Sequence, residues 1–283
     1  MTVSSAQREK TAAFNRMHTE GDVLLLPNCW DHASAALMAA AGFAAIATTS
    51  AGVAVANGAP DGENLSRAFQ IGFAGGIANR TDLPVTADLE AGYGTEPEAV
   101  AATVAQAIAA GLVGCNIEDV VPGSGELMPF ELAVARIEAG VAAARGAGVD
   151  FVLNARTDPY LVGHGDAEAN FAEAVRRANA FLAAGAPSVY VPGVQDAATI
   201  SRLVTTIDGP LNVHTVAGRA MPALAELRDL GVRRVSLGGS LMQAASTFVN
   251  ATLAEIKAGD FGFAARAHSS RDLGGLMKPW LRR

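Results

Sequence analysis

Short apolar runs rich in branched residues alternate along the chain with longer alanine-rich stretches whose apolar positions recur at helical spacing. The spacing predicts eight strands, at Val23–Pro27, Ala44–Thr48, Pro84–Asp88, Gly114–Glu118, Asp150–Asn154, Ser188–Val191, Leu211–His214 and Arg233–Leu237. Between them it predicts helices that include His32–Ala41, Glu63–Asn79, Glu96–Ala110, Phe130–Arg145 and Ala167–Ala184. Gly42, Gly111, Gly185 and Gly231 stand just before the next strand, where a left-handed residue stops a helix and turns the chain back. Such alternation implies parallel strands joined by right-handed crossovers. Eight repeats favour a closed (β/α)8 TIM barrel over an open doubly wound sheet, and no Gly-x-Gly-x-x-Gly follows the first strand. Ser4–Glu20 reads as an N-terminal helix outside the barrel and Asp260–Arg283 as a C-terminal helical extension. No Pro-, Gly- or Ser-rich linker divides residues 1–283, so one domain is expected.

The 283 residues suit a barrel, which uses roughly 250. Half of them are hydrophobic and 17% charged, enough for a large core and too apolar for a disordered chain. The balance of 21 basic and 28 acidic residues gives −7 without long runs of either sign, which argues against nucleic acid or an anionic membrane as partner. Thr2 to Asp22 lacks the apolar core of a signal peptide, and the apolar run Ala35–Ala47 falls short of the roughly 18 residues of a membrane span. A soluble, cytoplasmic protein is expected. The two cysteines, Cys29 and Cys115, make neither a disulfide framework nor a zinc cluster. The three lysines, Lys10, Lys257 and Lys278, all lie away from strand ends, so a Schiff-base mechanism has no nucleophile.

Barrel enzymes carry their reactive groups where strands end and βα loops begin. The third predicted strand runs out through Ala87-Asp88-Leu89-Glu90-Ala91-Gly92-Tyr93-Gly94, and a period of two points Asp88 and Glu90 the same way. Two carboxylates in one pocket repel unless a cation or a shared proton relieves them. The fourth strand ends Asn116-Ile117-Glu118-Asp119, with Asn116 and Glu118 on one face. Asp88, Glu90 and Glu118 together form an all-oxygen set that suits Mg²⁺ or Mn²⁺; the plainer reading is three acids opening solvated loops. The fifth strand ends Asn154-Ala155-Arg156-Thr157-Asp158. Arg156 there binds a substrate carboxylate or steadies an enolate, or else pairs structurally with Glu118 or Asp158.

Other positions carry less. Ser50, Ala51 and Gly52 follow the second strand, and their small side chains let backbone N–H groups approach an anion. Asp61 by itself reads as a turn or cap residue. His214 is the one histidine at a catalytic address, a candidate for touching substrate. Gly238-Gly239-Ser240 lies where barrels often bind phosphate. Cys115 has the parity of a core residue, and Cys29, near the end of the first strand, is placed to face the pocket but has no histidine assigned as its base. A metal-stabilised enolate fits this inventory best.

The strings Leu26-Pro27-Asn28-Cys29-Trp30-Asp31-His32-Ala33-Ser34, Thr48-Thr49-Ser50, Asp88-Leu89-Glu90-Ala91-Gly92-Tyr93-Gly94, Asn116-Ile117-Glu118-Asp119 and Asn154-Ala155-Arg156-Thr157-Asp158 resemble the isocitrate lyase/phosphoenolpyruvate mutase superfamily. The resemblance implies a Mg²⁺-dependent barrel that makes or breaks C–C or P–C bonds next to a pyruvate enolate. It implies that Asp88, Glu90 and Glu118 hold the metal directly or through water, and that Arg156 stabilises the enolate. The backbone at Ser50, Ala51 and Gly52 would hold the pyruvyl carboxylate, with Asp61 near the reacting end. It further implies homotetramers that exchange C-terminal helices, for which residues 261–283 are the candidate segment. The chain departs from the isocitrate and methylisocitrate lyases at Asp119–Pro129, which lacks their Lys-Lys/Arg-Cys-Gly-His loop, and from the mutase branch in lacking its gate lysine and asparagine.

Chemistry narrows the choice. Decarboxylation of a 2-oxo diacid needs mainly an electrophile, because CO₂ leaves without a proton. Retro-aldol cleavage also needs a base for the hydroxyl and an acid for the enolate carbon, for which Glu126, His214, Tyr93 and Tyr160 are candidates. The sequence thus favours a Mg²⁺-dependent lyase or decarboxylase of a small 2-oxo or 2-hydroxy dicarboxylate. Phosphonate P–C chemistry and a non-catalytic metabolite-binding barrel are the alternatives.

Overall fold

Nine short strands, all parallel, lie in one sheet of a computed structural model that describes residues 3–281. They are β1 (Leu24–Leu26), β2 (Asn28–Cys29), β3 (Ile46–Thr48), β4 (Val85–Asp88), β5 (Gly114–Ile117), β6 (Val152–Arg156), β7 (Ser188–Tyr190), β8 (Leu211–His214) and β9 (Arg234–Ser236). The sheet order runs β1-β9-β8-β7-β6-β5-β4-β3-β2. The expected first strand is its seam. Pro27 has no N–H to give the ladder and splits the strand in two, so β1 pairs with β9 while β2 pairs with β3. The outcome is a nearly closed α/β barrel with helices outside, as expected.

Alternation along each strand sorts the side chains. Ile46, Val85, Ala87, Cys115, Ile117, Leu153, Ala155, Val189, Leu211 and Val213 face outward and form the main core against the helices. The opposite parity fills the barrel in layers. At the foot, Leu24, Leu26, Ala45, Ala47 and Val152 pack on Phe14 of the helix Ser5–Thr19, which plugs the barrel. Gly114 makes room for that plug, since a Cβ there would lie 2.6 Å from the Val152 carbonyl oxygen and 3.2 Å from the Phe14 ring. Above it sits a buried polar layer in which Asn154 donates to Asn116 at 2.9 Å, Ser188 donates to Asn154 at 2.9 Å, and Arg234 donates to Ser236 at 3.1 Å. The mouth of the barrel then carries Asp88, Arg156, Tyr190 and His214.

Most predicted boundaries shift by a residue or two, and three differences change the picture. The fifth predicted strand moves two residues on, to Val152–Arg156, because pairing aligns Val152 with Gly114 and Asn154 with Asn116. The helix predicted from Glu63 starts at Arg67 under a Ser66 cap, since Glu63 is left-handed at φ +57°. The small-residue run after β3 is itself a helix, Ser50–Ala56, capped by Thr49.

The helix Ser240–Lys257 buries only Met242 and Thr252. Phe248, Val249 and Leu253 are 57%, 52% and 56% exposed, which leaves one face of this helix apolar and bare. The following chain returns to its own barrel, where Trp280 is buried with its ring edge-on to His32 at 6.3 Å. The expected exchange segment 261–283 ends in Arg282 and Arg283, which lie outside the described residues. No helix among the described residues is long and apolar enough to cross a membrane.

His18, buried beside the Phe14 plug, gives the fold a pH dependence. Its Nδ1 lies 2.9 Å from the Phe14 carbonyl oxygen. Burial, reinforced by Arg234 and Arg233 against the pull of that carbonyl, lowers its pKa from 6.5 to about 3. The folded state therefore keeps His18 neutral where the unfolded chain takes a proton. Its contribution is complete above pH 6.5 and falls as pH drops toward 3, at up to about 1.4 kcal/mol per pH unit. In urea titrations across that window, His18→Gln is expected to lose stability more shallowly than the wild type. Equal slopes would acquit His18.

Candidate active site

Asp88 closes β4 at the centre of the mouth. Its Oδ2 accepts hydrogen bonds from the Ser50 hydroxyl at 2.8 Å and the Ser50 amide at 3.2 Å, and its own amide donates to Thr48 Oγ1 at 3.2 Å. Its Oδ1 is buried without a protein partner. Asp61 comes from an exposed loop but turns its carboxyl toward the same place. Burial of that carboxyl and the charge of Asp88 push its pKa up, against the Gly62 amide, Arg156 and the Ser50 hydroxyl. The anion-cradling loop expected at Ser50, Ala51 and Gly52 is thus a helix start with other duties. The Ser50 amide serves Asp88, and the Gly52 amide points at Thr49 Oγ1 at 3.4 Å.

Glu90 does not share a strand face with Asp88. The strand ends at Asp88, and Glu90 is left-handed at φ +51°, so period-two parity no longer applies. Its Oε2 accepts the Glu63 amide, while Glu63 Oε1 accepts the Tyr93 amide at 2.8 Å. Glu63, Glu90 and Tyr93 all have positive φ, a strain of order 1–3 kcal/mol each that persists only where the surroundings enforce it. Arg136 enforces it from below, donating to the carbonyls of Ala91, Gly94 and Thr95. Gly94 is needed too, since a Cβ there would lie 2.6 Å from the Ala99 methyl. Burial, opposed by the Glu63 amide and aided by Asp88 and Asp61, brings the Glu90 pKa up to about 7.

Arg156 ends β6 and lies between two acids. Nε and Nη2 each donate to one oxygen of Asp158 at 2.8 Å, and Nη1 sits 2.7 Å from Glu118 Oε2. Both ion pairs weighed from the sequence are therefore present. Burial, against Arg156, pushes the Glu118 carboxyl well above the ordinary range, with Asp158, Asp88 and Glu90 pressing the same way. Arg156 stays a cation because Asp158 and Glu118 outweigh its burial. Its guanidinium carbon is 5.6 Å from the centre of the Tyr190 ring, which meets His214 edge-on at 5.5 Å. Burial and then Arg156 lower the His214 pKa to about 4, so the ring is neutral; its Nδ1 is buried without a partner.

Asp61, Asp88, Glu118, Arg156, Ser50 and His214 are thus brought together. Two expectations are corrected, and two of the three expected metal ligands have protein partners. Among the described residues no three His, Cys, Asp or Glu side chains converge as a ready metal-ligand set. Glu90 is drawn to the Glu63 amide and Glu118 to Arg156. Cys29 belongs to the core, fully buried, with burial raising its thiol pKa to about 12. The amides of Leu237 and Gly238 both donate to Asn28 Oδ1 at 2.9 Å, so these two amides of the loop after β9 are not free to hold a phosphate. Of the proposed proton donors, Tyr160 lies near Arg202, Asp196 and Glu168 instead, and Glu126 is exposed on the loop after β5. Tyr190 was missed, although the alternation rule applied to β7 puts it two places beyond Ser188.

A hard dication fits the donor chemistry. Asp88 keeps one buried carboxylate oxygen free, and Asp61, Glu90 and Glu118 all have pKa values raised by burial with Asp88 adding to each. Arg156, the cation in their midst, is already matched by Asp158. All the donors are oxygens.

The model of the phosphoenolpyruvate phosphomutase family matches residues 14–257, from the Phe14 plug to the end of the exposed helix. The chain belongs to this family. An uncharacterized protein of Mycobacterium tuberculosis, Rv1998c, is 37% identical over 227 residues, 80% of this chain and 81% of that one. A Burkholderia cenocepacia structure described as a lyase/mutase superposes with a TM-score of 0.90 at 37% identity, covering 97% of this chain and 98% of that one. A 2,3-dimethylmalate lyase of the phosphoenolpyruvate mutase/isocitrate lyase superfamily superposes with a TM-score of 0.83 at 27% identity, over 95% and 94% of the two chains. The family relatives thus carry lyase and mutase names.

Proposed function

We propose that the protein is a divalent-metal-dependent, cytoplasmic carbon–carbon lyase or decarboxylase that cleaves a small 2-oxo or 2-hydroxy dicarboxylate to a pyruvyl enolate. The observation that carries this reading is Arg156, a cation fixed by Asp158 with Nη1 directed at the acidic mouth. When bound, Mg²⁺ or Mn²⁺ supplies positive charge that favours an enolate over its keto form, held by Asp88 with Glu90 and Glu118 contributing directly or through water. Arg156 Nη1 exchanges Glu118 for the substrate's oxygens and stabilises charge as the C–C electron pair shifts toward them. Glu118, with its raised pKa, holds or accepts a proton at Oε2. Ser50 and Asp61 fix the pyruvyl end, and neutral His214 offers Nδ1 to a polar substituent. Departure of CO₂ needs no proton, which suits a site whose named acids, Asp61, Asp88, Glu90 and Glu118, all lie outside residues 120–129.

Release of pyruvate from oxaloacetate, 2-methylisocitrate, a dialkylmalate and phosphonopyruvate, each with and without Mg²⁺, tests the reading. Mg²⁺-dependent pyruvate from one of the first three is the expected result. Phosphonopyruvate as sole substrate would shift the assignment to P–C chemistry, and silence from all four would favour a metabolite-binding barrel. The bare face of Phe248, Val249 and Leu253 supports a homotetramer; light scattering on the same preparation at the mass of one 28.9 kDa chain would refute that assembly.

A further inference from the structure

Asp119 follows the acidic mouth residue Glu118 but turns away from the mouth, and its carboxylate is a buried hub. Oδ2 accepts the Thr157 hydroxyl at 2.7 Å and Arg177 Nη1 at 3.0 Å, and Oδ1 accepts the Asp158 amide at 3.1 Å. Two loops meet here. The first leaves β5 and returns as a small hairpin, closed by an antiparallel bridge between Val120 and Leu127 and by the Val121 amide on the Glu126 carbonyl at 2.9 Å. Both feet of that hairpin are gripped. The Met128 amide donates to the Asp119 carbonyl at 2.7 Å, and Arg177 Nη2 donates to the Met128 carbonyl at 2.8 Å. Glu173 steadies the arginine, accepting from its Nε at 2.6 Å. The second loop, Thr157-Asp158, leaves β6 and carries the carboxylate that holds Arg156 by its fork.

We infer that Asp119 and Arg177 are positioning residues that lock the 120–127 hairpin and the aim of Arg156 into one mechanical unit. The inference rests on the reading of Arg156 as the electrophile. It is carried by connectivity: Arg177 touches Asp119, Asp119 holds the Asp158 amide, and Asp158 holds Arg156, while the same arginine holds the hairpin's returning foot. Arg177 also lines a groove of about 440 Å³ between Gly125–Pro129 and Val162–His164, beside the hairpin. A buried arginine with Nε, Nη1 and Nη2 all engaged resists partial release, because an unmade bond to a buried charge costs more than one to an exposed charge. Displacing the hairpin foot therefore pulls on Asp119, and through it on the orientation of Arg156. A misplacement of about 1 Å at a reacting group is enough to cost on the order of 10²-fold in rate.

Hydrogen exchange of the full-length protein tests this without requiring turnover. In Arg177→Met, faster exchange is expected at Met128, which the arginine touches, and also at Asp158, which it does not touch. Thr157→Val reaches Asp119 from the other loop and is expected to speed exchange at Met128. Turnover on whichever substrate proves active is expected to fall about tenfold or more in kcat with KM changed less than about threefold. Arg177→Lys, which keeps the charge beside Asp119, is expected to recover part of that loss. Exchange at Asp158 unchanged in Arg177→Met, with Thr157→Val also silent at Met128, would overturn the coupling. If no substrate is turned over, binding of oxalate with Mg²⁺ replaces kcat: coupled exchange with unchanged oxalate affinity in both variants would leave the hairpin linked to the loop but refute its control of Arg156. Coupled exchange and weakened oxalate binding would uphold the coupling even where the lyase reading fails.

Discussion

Replacing Arg156 with lysine is expected to lower kcat by roughly 10²–10³-fold, the cost of losing a preorganised donor at a developing oxyanion. Lysine keeps the charge but not the geometry. The guanidinium uses Nε and Nη2 on Asp158 and still presents Nη1 to Glu118, whereas an ammonium cannot hold a two-oxygen fork and reach the mouth together. Because the charge is retained beside Asp158, the variant is expected to fold, and its melting curve checks that. The measurement is kcat and KM for Mg²⁺-dependent pyruvate release. A kcat within about threefold of wild type would remove Arg156 from the chemistry.

Asp88→Asn is expected to abolish the response to Mg²⁺ and to cut turnover by about 10³-fold or more, since the lost charge is the one the neighbouring acids share. Asparagine matches aspartate in shape and can still accept the Ser50 hydroxyl and amide, so the local fold should survive. Removing a carboxylate that raises Asp61, Glu90 and Glu118 also relieves repulsion, so without metal the variant should melt no lower than the wild type. Electron paramagnetic resonance of Mn²⁺ reads the site independently of activity. Wild-type Mn²⁺ affinity in Asp88→Asn would show that the metal, if bound, sits elsewhere. A lower melting temperature would show that Asp88 serves the fold rather than the site.

How far each feature could be read follows from the range of the forces that set it. Strand parity is a local property, and it set Asp88, Glu118 and Arg156 toward one pocket before any pairing was known, while His214 stood out by its place at the end of a strand. Glu90 escaped that rule because one left-handed residue ends the alternation, and φ +51° at a glutamate has no sequence signal as plain as a glycine's. Cys29 lies where Pro27 breaks the first strand, and the break decides which neighbour each half pairs with. Tyr190 was legible by the same parity and went unread. Asp119 and Arg177 were not legible in partnership, being 58 positions apart on different elements.

The repeating strand–helix order, the parallel barrel that order implies, and the acids and arginine at its strand ends were all readable from the chain. Periodicity and chirality act over neighbouring residues, and those are written in the chain. Tertiary structure alone decided where each carboxylate finds its partner: Ser50 for Asp88, the Glu63 amide for Glu90, Arg156 for Glu118, and Arg177 for Asp119. It also decided their proton affinities, because burial and the nearness of other charges exist only once distant loops have met at the barrel mouth.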